Sequence, residues 1–429
     1  MESAFSKNGP HSFADRLLCL SLDVGEGILK NGGEVHRVED TVERICHAYS
    51  AAHVEVFAIT TLILASVRMQ DGSFSSQIRR VPSSSNDFSR LEEYNRISRE
   101  VCRELPSLDL FDEKLRAVKA QKNYSRVLSV AGGALTAGVF AILFGGSLRD
   151  CFAGFVIGAL LSLLSTSHFK NVNALAKTVI TSFVAGVLSY ASVLVGLGEN
   201  LDMIMIGSIM LLIPGLAFGN AMRDLLCGDI LAGILKTVQS SLTAILIACG
   251  FLLSILLMKP TGIVEGIPPI EHFWWVQLLA ALLGSVGFAV LFCVRIKYLP
   301  VAALGGGLTY GVYALCNAFG ASLFLAAFFA AVFAASFGEL CAVWCKAPTV
   351  LFVSPFTISI VPGGSLYYTM SALLASNGAS LASNFSSTLL ISAGLAAGTM
   401  FVTVFVSGVK GRTSKRLILP FGSGENRQD

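Results

Sequence analysis

The chain has 429 residues, of which 54% are hydrophobic and 14% are charged, and its mean hydropathy is +0.69. A soluble domain usually carries about 25% charged residues, so this composition excludes a secreted globular enzyme. The formal net charge of +3 is too small to indicate a nucleic-acid-binding protein.

The charged residues are concentrated at the N-terminal end of the chain. Positions 1–126 carry 35 of them, whereas positions 127–409 carry 17. The second stretch cannot fold in water without exposing large apolar surfaces. We therefore predict a polytopic α-helical membrane protein with a small cytoplasmic α+β domain at residues 1–126.

The N-terminal stretch alternates between helical and strand-like patterns. A helix is predicted from Phe13 to Lys30, before the stop signal Asn31-Gly32-Gly33. Alternation with a period of two then predicts strands. The remaining predicted elements are a helix at 36–49, strands at 54–59, 62–69 and 77–81, and helices at 87–105 and from about 109 onward.

Ten apolar segments of roughly membrane-spanning length follow. They lie near 127–146, 150–167, 174–197, 201–221, 229–257, 273–294, 300–318, 320–345, 348–373 and 382–408. The predicted units are two five-helix halves (127–257 and 273–409), an outer loop (258–272) and a cytoplasmic tail (410–429).

The positions of Lys and Arg predict the orientation of these helices. With the N-terminal domain inside, the inner connections carry ten Lys or Arg residues, and the outer connections carry only Arg149 and Lys259. Both termini are therefore predicted to be cytoplasmic.

An internal repeat links the two halves. Leu212-Ile213-Pro214-Gly215 precedes Met222, and Ile360-Val361-Pro362-Gly363 precedes Met370, 148 residues later. Five helices per half require the two copies to be inverted. Proline removes a backbone donor, so each helix is predicted to break there and to line a binding site. The alternative is a kink that serves helix packing alone.

Polar residues within the apolar segments supply further candidates. Predicted substrate-pathway residues are Pro214, Gly215, Asn220, Gln239, Ser354, Thr357, Pro362 and Gly363. Predicted coupling or gating residues are Glu339, Lys236, Arg223, Asp224 and Asp229. A charge inside a membrane is costly, so Glu339 is predicted to be buried as a proton-coupling carboxylate. The alternatives for Glu339 are an ion pair with Lys236 and a side chain that extends toward the cytoplasmic interface. For Arg223, Asp224 and Asp229, the alternative to an inner gate is a simple interfacial ion-pair set.

Two ordered motifs resemble the threonine/serine exporter family. The first runs from Asn31 to Thr41 (NGGEVHRVEDT), and the second runs from Met210 to Asp229 (MLLIPGLAFGNAMRDLLCGD). The resemblance extends over about 20–255, and residues 273–408 look like the family's smaller partner half, fused here to the first.

This resemblance implies efflux of threonine and serine from a bacterial cell across its inner membrane, driven by protons. Some family members are instead linked to the export of dicarboxylates such as succinate, which would favour a cationic cavity. The implied partners are a small-molecule substrate, protons and the lipid bilayer, and a homo-oligomer is left open. Neither a cofactor nor a metal ion is expected.

The N-terminal motif supports two readings of another class, a hydrolase and a membrane sensor. His36 lies beside acidic residues, but no nucleophile signature adjoins it, so we do not expect an enzyme. We predict instead that this domain gates the cytoplasmic mouth. The motif residues involved are Gly33, His36, Arg37, Glu39 and Asp40.

Overall fold

The structure is a computed structural model. It describes residues 12–82, 85–121, 124–167, 173–213, 217, 220–221, 224–225, 228–258, 267–374 and 377–417.

The described residues between 12 and 121 form four helices and one sheet, in the predicted order. The elements are α1 (Phe13–Lys30), α2 (Val35–Ala48), β1 (Ala51–Ile59), β2 (Leu62–Met69), β3 (Phe74–Arg80), α3 (Phe88–Glu104) and α4 (Leu108–Lys119). Helix α1 begins where the Ser12 side chain accepts a hydrogen bond from the Asp15 amide, and it ends before Gly32, whose φ is +90°.

The sheet is antiparallel with the order β1-β2-β3, and α1 and α2 pack against it. The apolar stripe of α2, formed by Val38, Val42 and Ile45, is fully buried. This burial explains the 3–4 spacing of those residues, because only one face of the helix meets the sheet.

Eight described helices are long and apolar enough to cross a membrane. They are α5 (Arg126–Leu143), α6 (Leu148–Ser167), α7 (Ala174–Leu194), α9 (Ile230–Met258), α10 (Trp274–Leu291), α11 (Leu299–Ala318), α12 (Leu323–Cys345) and α15 (Gly378–Leu417). They coincide with eight of the ten predicted segments. Many of their large apolar side chains are exposed, as expected for helices that face lipid.

The other two predicted segments are interrupted. The ninth consists of α13 (Val350–Thr357), a 3₁₀ turn (Ile358–Ile360) and α14 (Gly363–Leu374), with a bend of 48° between its two parts. This confirms the break predicted at Pro362-Gly363. The fourth begins with the ten-residue helix α8 (Leu201–Met210), whereas Pro214 and Gly215 lie outside the described residues.

The helices pack in the same pairs in both halves. Helix α5 packs on α6 as α10 packs on α11, and α7 packs on α9 as α12 packs on α15. Glycines allow close approach: a Cβ on Gly158 would lie 2.4 Å from the Gly133 carbonyl oxygen, and one on Gly398 would lie 2.4 Å from the Phe328 carbonyl oxygen.

Helices α5 and α10 also end in the same way. The Gly146 amide donates to the Ala141 carbonyl at 2.8 Å, and 148 residues later the Val294 amide donates to the Ala289 carbonyl at 2.8 Å. The residue before each of these amides has a positive φ, +103° at Gly145 and +54° at Cys293.

Candidate functional site

The described parts of the two interrupted segments contact each other. Helix α14 packs on α8, and a Cβ placed on Gly363 would lie 2.2 Å from the Sδ atom of Met210. The start of α14 and the end of α8 therefore approach each other as closely as a glycine permits. Gly363 belongs to the second copy of the predicted Pro-Gly repeat.

A buried carboxylate joins these two helices on one side of the crossing. The Tyr367 hydroxyl on α14 donates a hydrogen bond to Asp202 Oδ1 on α8 at 2.7 Å. The two residues are only 3% and 7% exposed, respectively. A carboxylate buried among apolar helices is expensive and is usually functional. The sequence patterns do not single out Asp202, although an acidic residue at the start of an apolar run was an available signal.

The predicted hydroxyl residues lie beside the bend but bond mainly within their own helix. Ser354 is buried on α13, and the Thr357 hydroxyl donates to the Val353 carbonyl at 2.9 Å. The Ser359 and Ser285 hydroxyl oxygens are 3.5 Å apart and link the 3₁₀ turn to α10. Asn220 is half-buried, whereas Gln239 is exposed on α9.

The predicted gating residues form a buried ion pair. The Nζ atom of Lys236 lies 2.6 Å from Asp224 Oδ2, and the two side chains are 15% and 4% exposed. Lys236 therefore pairs with Asp224, and Glu339 accepts a hydrogen bond from the Thr349 hydroxyl at 3.0 Å. Glu339 is half-buried. Arg223 lies outside the described residues.

Acidic residues at the start of helix α2 lie close enough to Asp224 and Asp229 for their charges to interact. Burial raises the pKa of Glu39, the Ala58 amide opposes that shift by donating to Glu39 Oε1 at 2.8 Å, and the charge of Asp229 raises it further. Burial likewise raises the pKa of Asp224, where Lys236 opposes the shift and Glu34 adds to it. The motif and the gating residues are therefore neighbours.

The other motif residues bond within α2 or face solvent. Asp40 pairs with Arg44 at 2.6 Å, and the Nε atom of Arg37 lies 4.0 Å from Glu34 Oε2. His36 is exposed. Gly33 is buried where a Cβ would lie 2.4 Å from Ile28 Cγ2, so its small size serves packing.

Helix α3 forms a second contact with the membrane helices, which the sequence did not indicate. Arg295 pairs with Glu92 at 3.2 Å and also with Glu93. The Tyr298 hydroxyl donates to Glu92 at 3.1 Å, and the Phe88 amide donates to a carbonyl at the end of α10. The sequence does not indicate that Arg295 pairs with Glu92, because the two residues are 203 positions apart in the chain.

Among the described residues, no group of three or more His, Cys, Asp or Glu side chains is arranged to hold a metal ion.

This arrangement, with long apolar helices around two interrupted ones and a buried polar contact between them, defines a multi-pass membrane protein of the transporter class. The chain belongs to the threonine/serine exporter family. A family model described as a putative threonine/serine exporter matches residues 20–258, and one described as a threonine/serine exporter matches residues 277–405. Members of this family are exporters and not enzymes.

A curated relative supports the same membership. The probable threonine/serine exporter of Mycobacterium tuberculosis (strain ATCC 25618 / H37Rv) is 22% identical over 375 residues, which cover 82% of this chain and 69% of the relative. No solved structure matches the chain. The family membership predicted from the two motifs is confirmed, and the match includes residues 277–405.

Proposed function

We propose that this protein exports threonine and serine across a bacterial inner membrane, driven by protons. The observation that carries the proposal is the meeting of the interrupted helices, where Gly363 packs on Met210 and Tyr367 bonds to Asp202. Paired broken helices between two halves are typical of the substrate sites of secondary transporters. The family and the named relative supply the substrate class.

The two five-helix halves are inverted repeats in this proposal. The rings of Phe140 and Phe288, 148 residues apart, are 5.6 Å apart, as expected of equivalent residues beside a two-fold axis. The shared helix pairs and the matching ends of α5 and α10 support the same relation. The axis lies in the membrane plane, and residues 1–126 and 410–429 stand outside the repeat.

Both termini lie in the cytoplasm in this arrangement. The N-terminal elements contact Arg295, and the Arg99 side chain donates to the Lys346 carbonyl at 3.2 Å. Arg295 and Lys346 both belong to the connections that are rich in Lys and Arg. The N-terminal elements would therefore stand at the face from which an exporter loads its substrate, with Arg37, Glu39 and Asp40 acting at its mouth.

Glu339 is the carboxylate that we assign to proton coupling. It is half-buried on α12 and bonds to Thr349, just before α13 begins. A change in the protonation of Glu339 would alter this hydrogen bond at the start of the bent segment. Asp224, Asp229 and Lys236 form the inner gate, and the residues around both Pro-Gly pairs line the path.

The dicarboxylate alternative requires uncompensated positive charge in the cavity. Lys236 is held 2.6 Å from Asp224, so the pair carries no net charge when both groups are ionised. This pairing favours a substrate without net charge, such as a zwitterionic amino acid, over a dianion.

Uptake into inverted membrane vesicles tests this proposal. We expect labelled threonine and serine, but not succinate, to accumulate when a pH gradient is imposed. Glu339→Gln should still allow threonine exchange while removing the response to the gradient. Uptake of succinate alone, or gradient-driven uptake that is unchanged by Glu339→Gln, would overturn the substrate or the coupling residue, respectively.

A further inference from the structure

A cavity lies between α1, α3 and α4. Its volume is about 330 Å³, near the lower end of the roughly 300–1,000 Å³ that is common for small-molecule sites. The side chains that matter here are Asp23, Glu26, Lys30, Arg90, Tyr94 and Lys119. Five charged groups and a phenol therefore converge on one small space.

The charges of the cavity are of both signs, with one cation in excess. Lys119 Nζ lies 2.6 Å from Asp23 Oδ2, and Lys30 Nζ lies 2.5 Å from Glu26 Oε1. Arg90 donates to the Gln121 carbonyl at 3.0 Å and pairs with Asp87 at 3.5 Å. Arg79, beside the cavity, also pairs with Asp23 at 2.8 Å and with Glu26 at 3.6 Å. A ligand that carries one positive and one negative charge can separate such an ion pair, because its own charged groups then serve as new partners for the two side chains.

The floor of the cavity is preformed around Tyr94. This residue is 5% exposed, and burial raises the pKa of its phenol, so the hydroxyl stays protonated at neutral pH. The ring lies directly against Gly27, where a Cβ would be 2.3 Å from Tyr94 Cζ. Any other residue at position 27 would displace the ring.

We propose that this cavity binds a free zwitterionic amino acid and that binding regulates transport. The choice of amino acid, threonine or serine, rests on the proposed function. The ligand's ammonium group would face Asp23 and Glu26, and its carboxylate would face Lys119 and Arg90. A ligand with only a negative charge would be repelled by the two acidic side chains. A ligand with only a positive charge would be repelled by the three basic ones.

Helix α3 connects the cavity to the membrane helices. Arg90 and Tyr94 face the cavity, whereas Phe88 and Glu92 of the same helix contact the segment after α10. A ligand that moves or fixes α3 therefore acts on the contact with Arg295. An amino acid accumulating on this side would thereby control its own export.

Equilibrium binding of labelled threonine to the full-length protein in detergent tests the proposal. We expect two sites in the native protein, one in the cavity and one on the transport path. Lys119→Gln and Arg90→Gln should each weaken the cavity site by about 10- to 100-fold, and Lys119→Arg should retain it. Threoninol, which lacks the carboxylate, and succinate, which lacks the ammonium group, should not compete there.

Lys114→Gln is the matched control, because Lys114 also lies on α4 but pairs with Glu100 outside the cavity. It should keep both sites. Gly27→Ala provides a second test, since it displaces Tyr94 without changing any charge and should also weaken the cavity site.

The possible outcomes separate this proposal from the proposed function. A single site in the native protein, unchanged by Lys119→Gln and Arg90→Gln, overturns the cavity proposal even if threonine is transported. If the native protein has two sites and these variants lose one of them, the cavity proposal is supported, even if vesicles transport no threonine. Regulation is overturned if the same variants leave the dependence of flux on threonine concentration unchanged.

Discussion

The buried ion pair between Asp224 and Lys236 can be tested by removing one of its two charges and measuring the loss of stability. Lys236→Met keeps the length of the side chain but removes its charge. Because Asp224 is 4% exposed and its partner is 2.6 Å away, this change leaves a carboxylate buried without its cation. Breaking a buried pair in this way costs about 3–5 kcal/mol.

Thermal unfolding in detergent is the assay for this loss. Lys236→Met should lower the melting temperature strongly, and adding Asp224→Asn should recover much of it, because no unpaired charge then remains. Arg149 and Glu199 provide the matched control. They pair at 2.9 Å but are 69% and 53% exposed, so Arg149→Met should cost at most about 1 kcal/mol. Equal losses for the two Met variants would refute this reasoning.

Three further predictions concern single side chains. Glu39→Gln should raise the melting temperature at neutral pH and have no effect below pH 4.5, because burial raises the pKa of Glu39 above 4.5 in the folded state; a gain independent of pH would contradict this. Gly398→Ala should destabilise the protein by about 1–3 kcal/mol, whereas Gly378→Ala, with no atom within 4 Å, should be tolerated in the same unfolding assay. Tyr367→Phe should cost about 1–3 kcal/mol because it removes the hydrogen bond from the Tyr367 hydroxyl to the buried Asp202 carboxylate, and Tyr368→Phe should cost less.

The helices were predictable from the sequence because each carries a local signal. Apolar runs of spanning length identified eight helices, and the stop after Lys30 matches the end of α1. The break at Pro362-Gly363 was also predictable, since proline removes a backbone donor wherever it occurs. These features depend on residues that are close together in the chain.

The polar contacts that join distant elements could not be predicted in the same way. Asp202 and Tyr367 are 165 positions apart, and Arg295 and Glu92 are 203 apart. No local pattern pairs such residues, because their approach depends on how whole helices pack. The alternative of an ion pair between Lys236 and Glu339 did not point to Asp224, which is much nearer to Lys236 in the chain and is its partner in the structure.

The N-terminal motif illustrates a further limit of sequence reasoning. Its residues lie beside the predicted gate, yet Glu39 also holds the Ala58 amide of β1 and Gly33 also packs on Ile28. A motif of polar residues can therefore serve the fold and the site together. Only measurements of both stability and flux can separate the two roles.

Counterflow in proteoliposomes measures amino-acid transport by this chain alone. Purified protein is reconstituted, the vesicles are loaded with unlabelled threonine, serine or succinate, and labelled threonine is added outside in trace amounts. We predict transient accumulation of label in vesicles loaded with threonine or serine, and none in vesicles loaded with succinate. No accumulation with any load, or accumulation only with succinate, would contradict it.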